Sequence, residues 1–403
     1  MEEWKEYRYT DLATIIGGGT PKTSVPEYWS GEIPWLSVKD FVSVTKYVYD
    51  TEKHISELGL LNSSTKLLEK NDIVISARGT VGAMAMIPYP MCFNQSCFGL
   101  RGNNIVDKNF LYYLTRTKVD ELRKIAHGSV FDTITRETFD NLRCLVPPLQ
   151  TQQKIGNILS SLDSKIELNK RINDNLEQQA QALFKSWFVD NPDSNWANTS
   201  LSEVASFVGG YSYKGEELTD FSNVAMATIK NFGQNRGFKA EGFKGINPSA
   251  KLKECHYVNL FDILVAHTDL TQNADVIGNA ELLLTYGKYN NIIFSMDLVK
   301  VLPKEIFPYR FLLAAMLKNK LFKGHCLGYI NGTTVLHLNK KALLDFEIRK
   351  PSNSEAKMMN ETLTPYYKRM AELLQETDKL ISLRDTLLPK LMSGELKIND
   401  INN

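Results

Sequence analysis

The sequence predicts an α+β protein of two similar mixed α/β units, separated by a long antiparallel two-helix coiled coil and related by a pseudo-two-fold axis. Three observations predict it. A chain of 403 residues exceeds the usual single domain. Its two halves carry the same blocks in the same order, and each half ends in a long proline-poor segment with helical apolar spacing. Composition agrees with a folded, soluble protein, at 43% hydrophobic and 23% charged residues.

The duplication begins at Thr10-Asp11-Leu12-Ala13, which leads into Gly17-Gly18-Gly19 and matches Ser202-Glu203-Val204-Ala205 before Gly209-Gly210. Each copy reads as a short helix closed by glycine. Asp72-Ile73-Val74-Ile75 then matches Asp262-Ile263-Leu264-Val265, and Phe110 to Leu114 matches Phe311 to Ala315. Gly128 pairs with Gly332 and Pro147 with Pro351. The offset drifts from 192 at Ala13/Ala205 to 204 at Pro147/Pro351, as expected of one fold whose loops differ in length. Strands are expected at 33–38, 72–76, 83–87, 225–229, 262–267 and 298–302, with helices at 109–125 and 310–323. The strands are short and do not alternate regularly with helices, which favours α+β over a doubly wound sheet.

The first helical segment places Ile155, Leu159, Leu162, Ile166, Leu176, Ala180, Leu183 and Trp187 at sums of three and four, with Asn169 and Asn173 in the same stripe. A polar residue there costs stability but fixes register. The second repeats the design from Met359 to Leu391 and stops near Ser393-Gly394, with kinks or frayed ends expected at Pro365 and Pro389. At about 1.5 Å per residue the first, of 39 residues, is a rod of roughly 58 Å, longer than a globular domain needs. The economical arrangement pairs them antiparallel. The boundaries that follow are 1–150 for the first unit, 151–190 for the central helix, 191–351 for the second unit and 352–403 for the distal helix.

Several chemistries are absent by motif. Gly17-Gly18-Gly19-Thr20-Pro21-Lys22-Thr23 has proline where a phosphate loop needs glycine, and neither a dinucleotide fingerprint, an HExxH pair nor a GxSxG elbow occurs. The cysteines, Cys92, Cys97, Cys144, Cys255 and Cys326, are scattered without a CxxC pair, which predicts reduced thiols and no structural zinc. The longest apolar run, Phe311 to Leu317, is too short for a membrane span, and the start MEEWKEYRYT has no apolar signal, so a cytoplasmic protein with no membrane partner is expected. A net charge of +1, with the mild excess in the second half, argues against polyanion binding by bulk charge alone, so any nucleic-acid surface is expected to be local.

Local groups that recognise nucleic acid do occur. In the first unit they are Thr20, Lys22, Lys39, Arg78, Thr80, Asn94, Gln95 and Ser129. In the second they are Lys230, Asn231, Gln234, Asn235, Arg236, His267 and Thr333. Arginine and lysine bridge guanine acceptors or neutralise phosphates, asparagine and glutamine pair with the adenine edge, and glycine lets the backbone approach. His267-Thr268-Asp269 stands where the first repeat has Ala77-Arg78-Gly79. Two readers related by a two-fold axis would meet opposite strands of a duplex equivalently, which predicts a bipartite, asymmetric target with a gap fixed by the helices.

The motifs resemble one family, the DNA specificity subunits of type I restriction-modification enzymes. The resemblance rests on Gly17 to Pro21 with Ile33-Pro34-Trp35-Leu36, on Ala77 to Gly82, and on Phe93-Asn94-Gln95. It continues through Pro147-Pro148-Leu149-Gln150-Thr151-Gln152-Gln153, Ile166 to Asn169, Leu183 to Phe188 and the C-terminal stretch Leu387 to Leu396. The second hinge, Lys350 to Glu355, lacks the double proline and the glutamine. The resemblance implies two target-recognition domains reading double-stranded DNA. It also implies docking of two modification subunits, which carry S-adenosylmethionine and methylate adenine, and of restriction subunits that use ATP and Mg. Neither Val146-Pro147-Pro148-Leu149 nor Asn191-Pro192-Asp193 fits the adenine methyltransferase motif, so the chain is expected to supply specificity and no catalysis, with no cofactor of its own. A structural adaptor and an unrecognised DNA-modifying enzyme are the alternatives.

Overall fold

A computed structural model describes residues 4–41, 45–127, 133–234 and 237–397. The chain divides into two compact units, Met1–Leu168 with Lys379–Asn403, and Asn169–Asp378, so each long helix contributes a part to both.

The first unit opens with β1 (Lys5–Arg8), α1 (Tyr9–Leu12) and β2 (Ala13–Gly17). The helix is not closed by glycine, as the sequence suggested. It passes directly into a strand at Ala13, because Thr14, Ile15 and Ile16 are β-branched and favour extended backbone. There follow β3 (Ile33–Leu36), β4 (Lys53–Ile55), α2 (Glu57–Leu61), β5 (Ile73–Ser76), β6 (Met84–Met86), β7 (Cys92–Phe93), β8 (Cys97–Gly102), α3 (Lys108–His127), α4 (Arg136–Asp140) and β9 (Arg143–Val146). A four-stranded sheet runs β2-β8-β5-β6, a three-stranded one β4-β3-β7, and β1 pairs antiparallel with β9. Side chains of a strand alternate between faces. Ile73 and Ile75 therefore join the core under α3, while Val74 joins a second core with Leu36, Phe93 and Cys97. Burial on both faces explains the unbroken apolar run that marked this strand in the sequence.

In the first turn of the long helix α5 (Leu149–Lys185), Gln152 Nε2 donates to the Pro147 and Ile105 carbonyls and ties the helix to the chain before it. Ile155 and Leu159 share the first unit's core with Leu388, Leu391 and Met392 of the C-terminal helix, and Asp163 further along bonds Arg384 further back, so the two helices run antiparallel. In the second unit Asn169 Nδ2 donates to Glu376 Oε2 at 3.0 Å and Thr377 Oγ1 at 3.3 Å, the register-fixing contact expected of a polar stripe residue.

The second unit repeats the plan with β10 (Ala197–Ser200), α6 (Leu201–Val204), β11 (Ala205–Gly209), β12 (Val224–Ala227), β13 (Lys244–Gly245), β14 (Tyr257–Val258), β15 (Ile263–Ala266), β16 (Thr268–Asp269), β17 (Ala280–Leu282), β18 (Asn291–Phe294) and β19 (Leu298–Pro303). Then come α7 (Arg310–Leu317), α8 (Lys320–Leu327), β20 (Ile330–Asn331), β21 (Leu336–Leu338), α9 (Lys341–Leu344), β22 (Glu347–Lys350) and α10 (Asn353–Ser393). Sheet β11-β19-β15-β17 reproduces β2-β8-β5-β6, and β10-β22 reproduces β1-β9. The expected helix 310–323 is two helices, because Asn319 Oδ1 accepts the Leu321 and Phe322 amides and caps a new one. Helix α10 runs unbroken through Pro365 and Pro389 to Ser393, correcting the expected frayed ends. Both prolines are exposed, so the carbonyls left without an N–H partner reach water. Phe184 stacks on Phe188 at 4.8 Å, which meets Trp196 at 4.9 Å, so these aromatics pack within the second unit.

All five cysteines are free, and only Cys255 is exposed. Burial pushes the thiols of Cys92 and Cys144 up to about 11 and those of Cys97 and Cys326 up to about 12. A thiolate is the reactive form. Iodoacetamide at pH 8 should therefore add one label to the native protein and one to every cysteine after denaturation. A second fast label on the native chain would contradict the burial.

Candidate nucleic-acid interface

Four turns leave the strands of the first unit at one place. After β2, Gly19 N–H donates to the Phe93 carbonyl at 3.0 Å and Trp35 Nε1 donates to the Gly19 carbonyl. After β3, the Asp40 carboxylate accepts the Ser37 amide and hydroxyl at 2.7 and 2.8 Å and, through its other oxygen, the Glu52 amide. That cap folds the 3-10 turn Val38–Asp40 and leaves Lys39 exposed at its tip. After β5, Ala77 N–H donates to the Ser96 carbonyl, and positive φ at Gly79 and Gly82 turns the chain so that Arg78 and Thr80 stand in solvent. After β7, Asn94 N–H donates to the Leu36 carbonyl and Asn94 Oδ1 accepts the Ser96 amide.

These turns line a depression of about 420 Å³ whose walls include Lys39, Arg78, Thr80 and Asn94. Thr20 hydrogen-bonds the Gln95 side chain at its rim, while Lys22 lies exposed one turn away. Of the eight first-unit residues expected from the sequence, only Ser129 lies outside the described residues. The sequence missed Lys53 and Glu52, which line this depression and an adjoining one of about 520 Å³ with Trp29 and His54. Lys53 Nζ lies 5.5 Å from the Trp29 ring, and Trp29 meets Trp35 edge-on at 5.1 Å. Lys53 belongs to a strand, so no loop composition marked it.

The second unit builds the same four turns with the same main-chain bonds. Tyr211 N–H donates to the Phe294 carbonyl, Ser295 N–H to Ala227, and His267 N–H to Asp297, as Gly19, Asn94 and Ala77 do in the first. The β-ladders set Leu36 beside Phe93 and Ala227 beside Phe294. Lys39 and Lys230 therefore occupy the same position, each on a 3-10 turn capped from its third residue, Asp40 or Asn231. Ala77 corresponds to His267, whose carbonyl accepts Leu338 N–H as that of Ala77 accepts Ile134 N–H.

Chemistry diverges on this shared frame. Where the first unit has Ser96 the second has Asp297, whose carboxylate accepts the Thr268 and Ser295 hydroxyls. Burial, with Lys340 and His337 nearby, lowers the pKa of His267 below the usual imidazole range, and its Nε2 has no hydrogen-bond partner among the described residues. Gln234 is exposed and donates to Asp275, Lys230 and Thr333 are exposed, and Asn235 and Arg236 lie outside the described residues. Asn231 is a correction. It is fully buried, its Oδ1 accepting Thr228 N–H and its Nδ2 donating to the Lys239 carbonyl, so it shapes the turn and presents no edge to a base.

Glycine is required where these turns cross. A Cβ on Gly18 would lie 2.0 Å from the Asn94 carbonyl oxygen, and one on Gly210 2.1 Å from that of Ser295, whereas Gly17 faces open space. Gly18→Ala should destabilise the protein by about 1–3 kcal/mol by displacing the Asn94 turn. Gly17→Ala should be nearly neutral, and equal midpoints for the two variants in urea would refute the crossing.

Residues 1–178 match the family model described as the type I restriction modification DNA specificity domain. Over 99% of its length the chain is 26% identical to the type I restriction enzyme MjaIX specificity subunit of Methanocaldococcus jannaschii, covering 95% of that protein. It is 24% identical to the HindI specificity subunit of Haemophilus influenzae, over 98% of this chain and all of that one. Among solved structures, the S subunit of a type I restriction-modification system from M. genitalium superposes with a TM-score of 0.55 at 17% identity, over 97% of this chain and 96% of the other, a likeness of fold.

Proposed function

We propose that the chain is the DNA sequence-specificity subunit of a type I restriction-modification complex, because residues 1–178 match the model of the type I restriction modification DNA specificity domain and the second unit rebuilds the same turns. Each unit reads one half of a bipartite target. The single observation that carries this reading is the pair of equivalent turn clusters with different side chains: Lys39 and Lys230 keep one place, while Ala77 and His267, or Ser96 and Asp297, differ. Shared cations suit phosphates, which are the same at every step of a duplex, and unlike neighbours suit unlike base edges. The target is therefore asymmetric.

In this role the chain supplies recognition and not catalysis. The paired helices α5 and α10 set the number of unread base pairs and dock the partner subunits. Those partners are two modification subunits, which carry S-adenosylmethionine, and restriction subunits, which use ATP and Mg. The assembly works in the cytoplasm, and among the described residues no helix is long and apolar enough to cross a membrane.

Selection of bound duplexes from a random pool, with the chain in complex with its modification subunits, tests the proposal. A split motif with a constant gap is the expected result. A single contiguous motif would mean that one unit alone reads DNA, and no enrichment from a well-formed complex would favour a structural adaptor.

A further inference from the structure

Strand β6 of the first unit and β17 of the second hold the same place in their sheets, and their ladders align residue by residue. Val74 faces Ala85 in one and Leu264 faces Glu281 in the other. Ala85 is 1% exposed and Glu281 2%. One fold in one chain thus fills the same buried position with a methyl group and with a carboxylate.

The carboxylate has defined partners. Glu281 Oε2 lies 2.7 Å from Lys318 Nζ, which lies 3.0 Å from Glu177 Oε2 on α5 and faces the Tyr367 ring of α10. The other oxygen, Oε1, accepts the Gly237 amide at 2.6 Å. Gly237 is itself tied to the segment that follows Lys230: Gly233 N–H donates to the Gly237 carbonyl, and Lys239 N–H donates to that of Asn231. The same stretch of chain around β17 holds the turn twice more, through Asn279 Nδ2 on the Gly233 carbonyl and Asp275 on Gln234. In the first unit, among the described residues, β6 holds the corresponding segment through main-chain bonds, Met86 N–H donating to the Lys46 carbonyl and Val48 N–H to that of Met86.

Burying charges removes them from water at a penalty of several kcal/mol per ion, and a buried ion pair is often no more stabilising than apolar residues of the same volume. The strand's place in the sheet does not require Glu281, since alanine fills the equivalent position of the first unit. The distinguishing feature is the bond to the turn that carries Lys230, Gln234 and Lys239. Groups that read bases need a second set of contacts to fix them.

We propose that Glu281, bridged by Lys318 to Glu177, is the positioning residue for the reading turn of the second unit and so determines the specificity of the second half-site without touching DNA. The inference rests on the proposed function. Selection from a random pool with the full chain and its modification subunits tests it, comparing Glu281→Ala, which installs the first unit's residue, with Glu281→Gln, which keeps an oxygen for the Gly237 amide. In Glu281→Ala, preference at one or more positions of the second half-site should fall about tenfold or more, with the first half-site unchanged. Glu281→Gln should restore most of it, a rescue that a mere loss of packing would not show.

Unchanged second-half preference in Glu281→Ala would overturn the inference, as would equal loss from both halves. If Glu281→Ala does not fold, hydrogen exchange on the wild-type chain decides: the Gly237 amide should be protected, and exchange at the rate of an open loop would overturn the assignment. A wild-type selection without a split motif would refute the proposed function and this inference with it, whereas a split motif that ignores Glu281→Ala would refute the inference alone.

Discussion

Replacing Arg384 with methionine should lower the stability of the first unit by about 3–5 kcal/mol. Arg384 Nη1 lies 2.7 Å from Asp163 Oδ1, with the two side chains 6% and 3% exposed. The Tyr113 hydroxyl donates to the other Asp163 oxygen. Removing the guanidinium leaves a buried carboxylate with one neutral donor, Tyr113, and the buried Lys46 ammonium as its remaining charged neighbour. The cost is the stranded charge and not the strength of the pair, so Asp163→Asn combined with Arg384→Met should recover most of the loss. Hydrogen exchange in β5 and β8, with β15 and β19 as reference, reads the first unit separately. A drop under about 1 kcal/mol in the single variant would show that water or a neighbouring cation compensates Asp163.

Arg78→Ala and Lys39→Ala should fail differently, although both residues line one depression. Arg78 stands at the tip of a turn with positive φ at Gly79, and its planar fork matches a guanine edge. Its loss should cost about 1–3 kcal/mol at one base position of the first half-site and leave other positions alone. Lys39 sits where the second unit has Lys230, a position kept while its neighbours change. Lys39→Ala should weaken all sequences alike and lower the slope of log affinity against log salt by about 0.9. Titrations at several salt concentrations, on the selected duplex and its single-base variants, separate the two. A sequence-independent effect of Arg78→Ala would reassign it to the backbone.

The duplication and both long helices were legible in the sequence because they depend on periodicity and on order, which single residues carry. The correspondence of Ala77 with His267 was legible for the same reason, as it follows directly on matched apolar strands. That of Lys39 with Lys230 is fainter, carried by the conservative pairs of Ser37-Val38-Lys39-Asp40-Phe41 with Thr228-Ile229-Lys230-Asn231-Phe232 and by no long identical string, and the ladders of β3 with β7 and β12 with β18 fix it. Asn231 looked like an exposed loop residue since composition does not report which way an amide points. Glu281 stands in an otherwise apolar run, and its partners lie 37 and 44 residues away at Lys318 and Gly237, beyond any local pattern. The prolines of α10 misled because their effect depends on which face of the helix they occupy.

In each unit the strand that brings the chain in lies against the strand that takes it out: Lys5 opposes Val146, and Ala197 opposes Lys350. Entry and exit share one seam. A whole reading unit can therefore be lifted out and replaced by another of different taste without threading the chain anew, provided the newcomer closes with the same antiparallel clasp. If each unit reads one half of the target as proposed, an exchange at these two short stretches should change one half-site and leave the other intact.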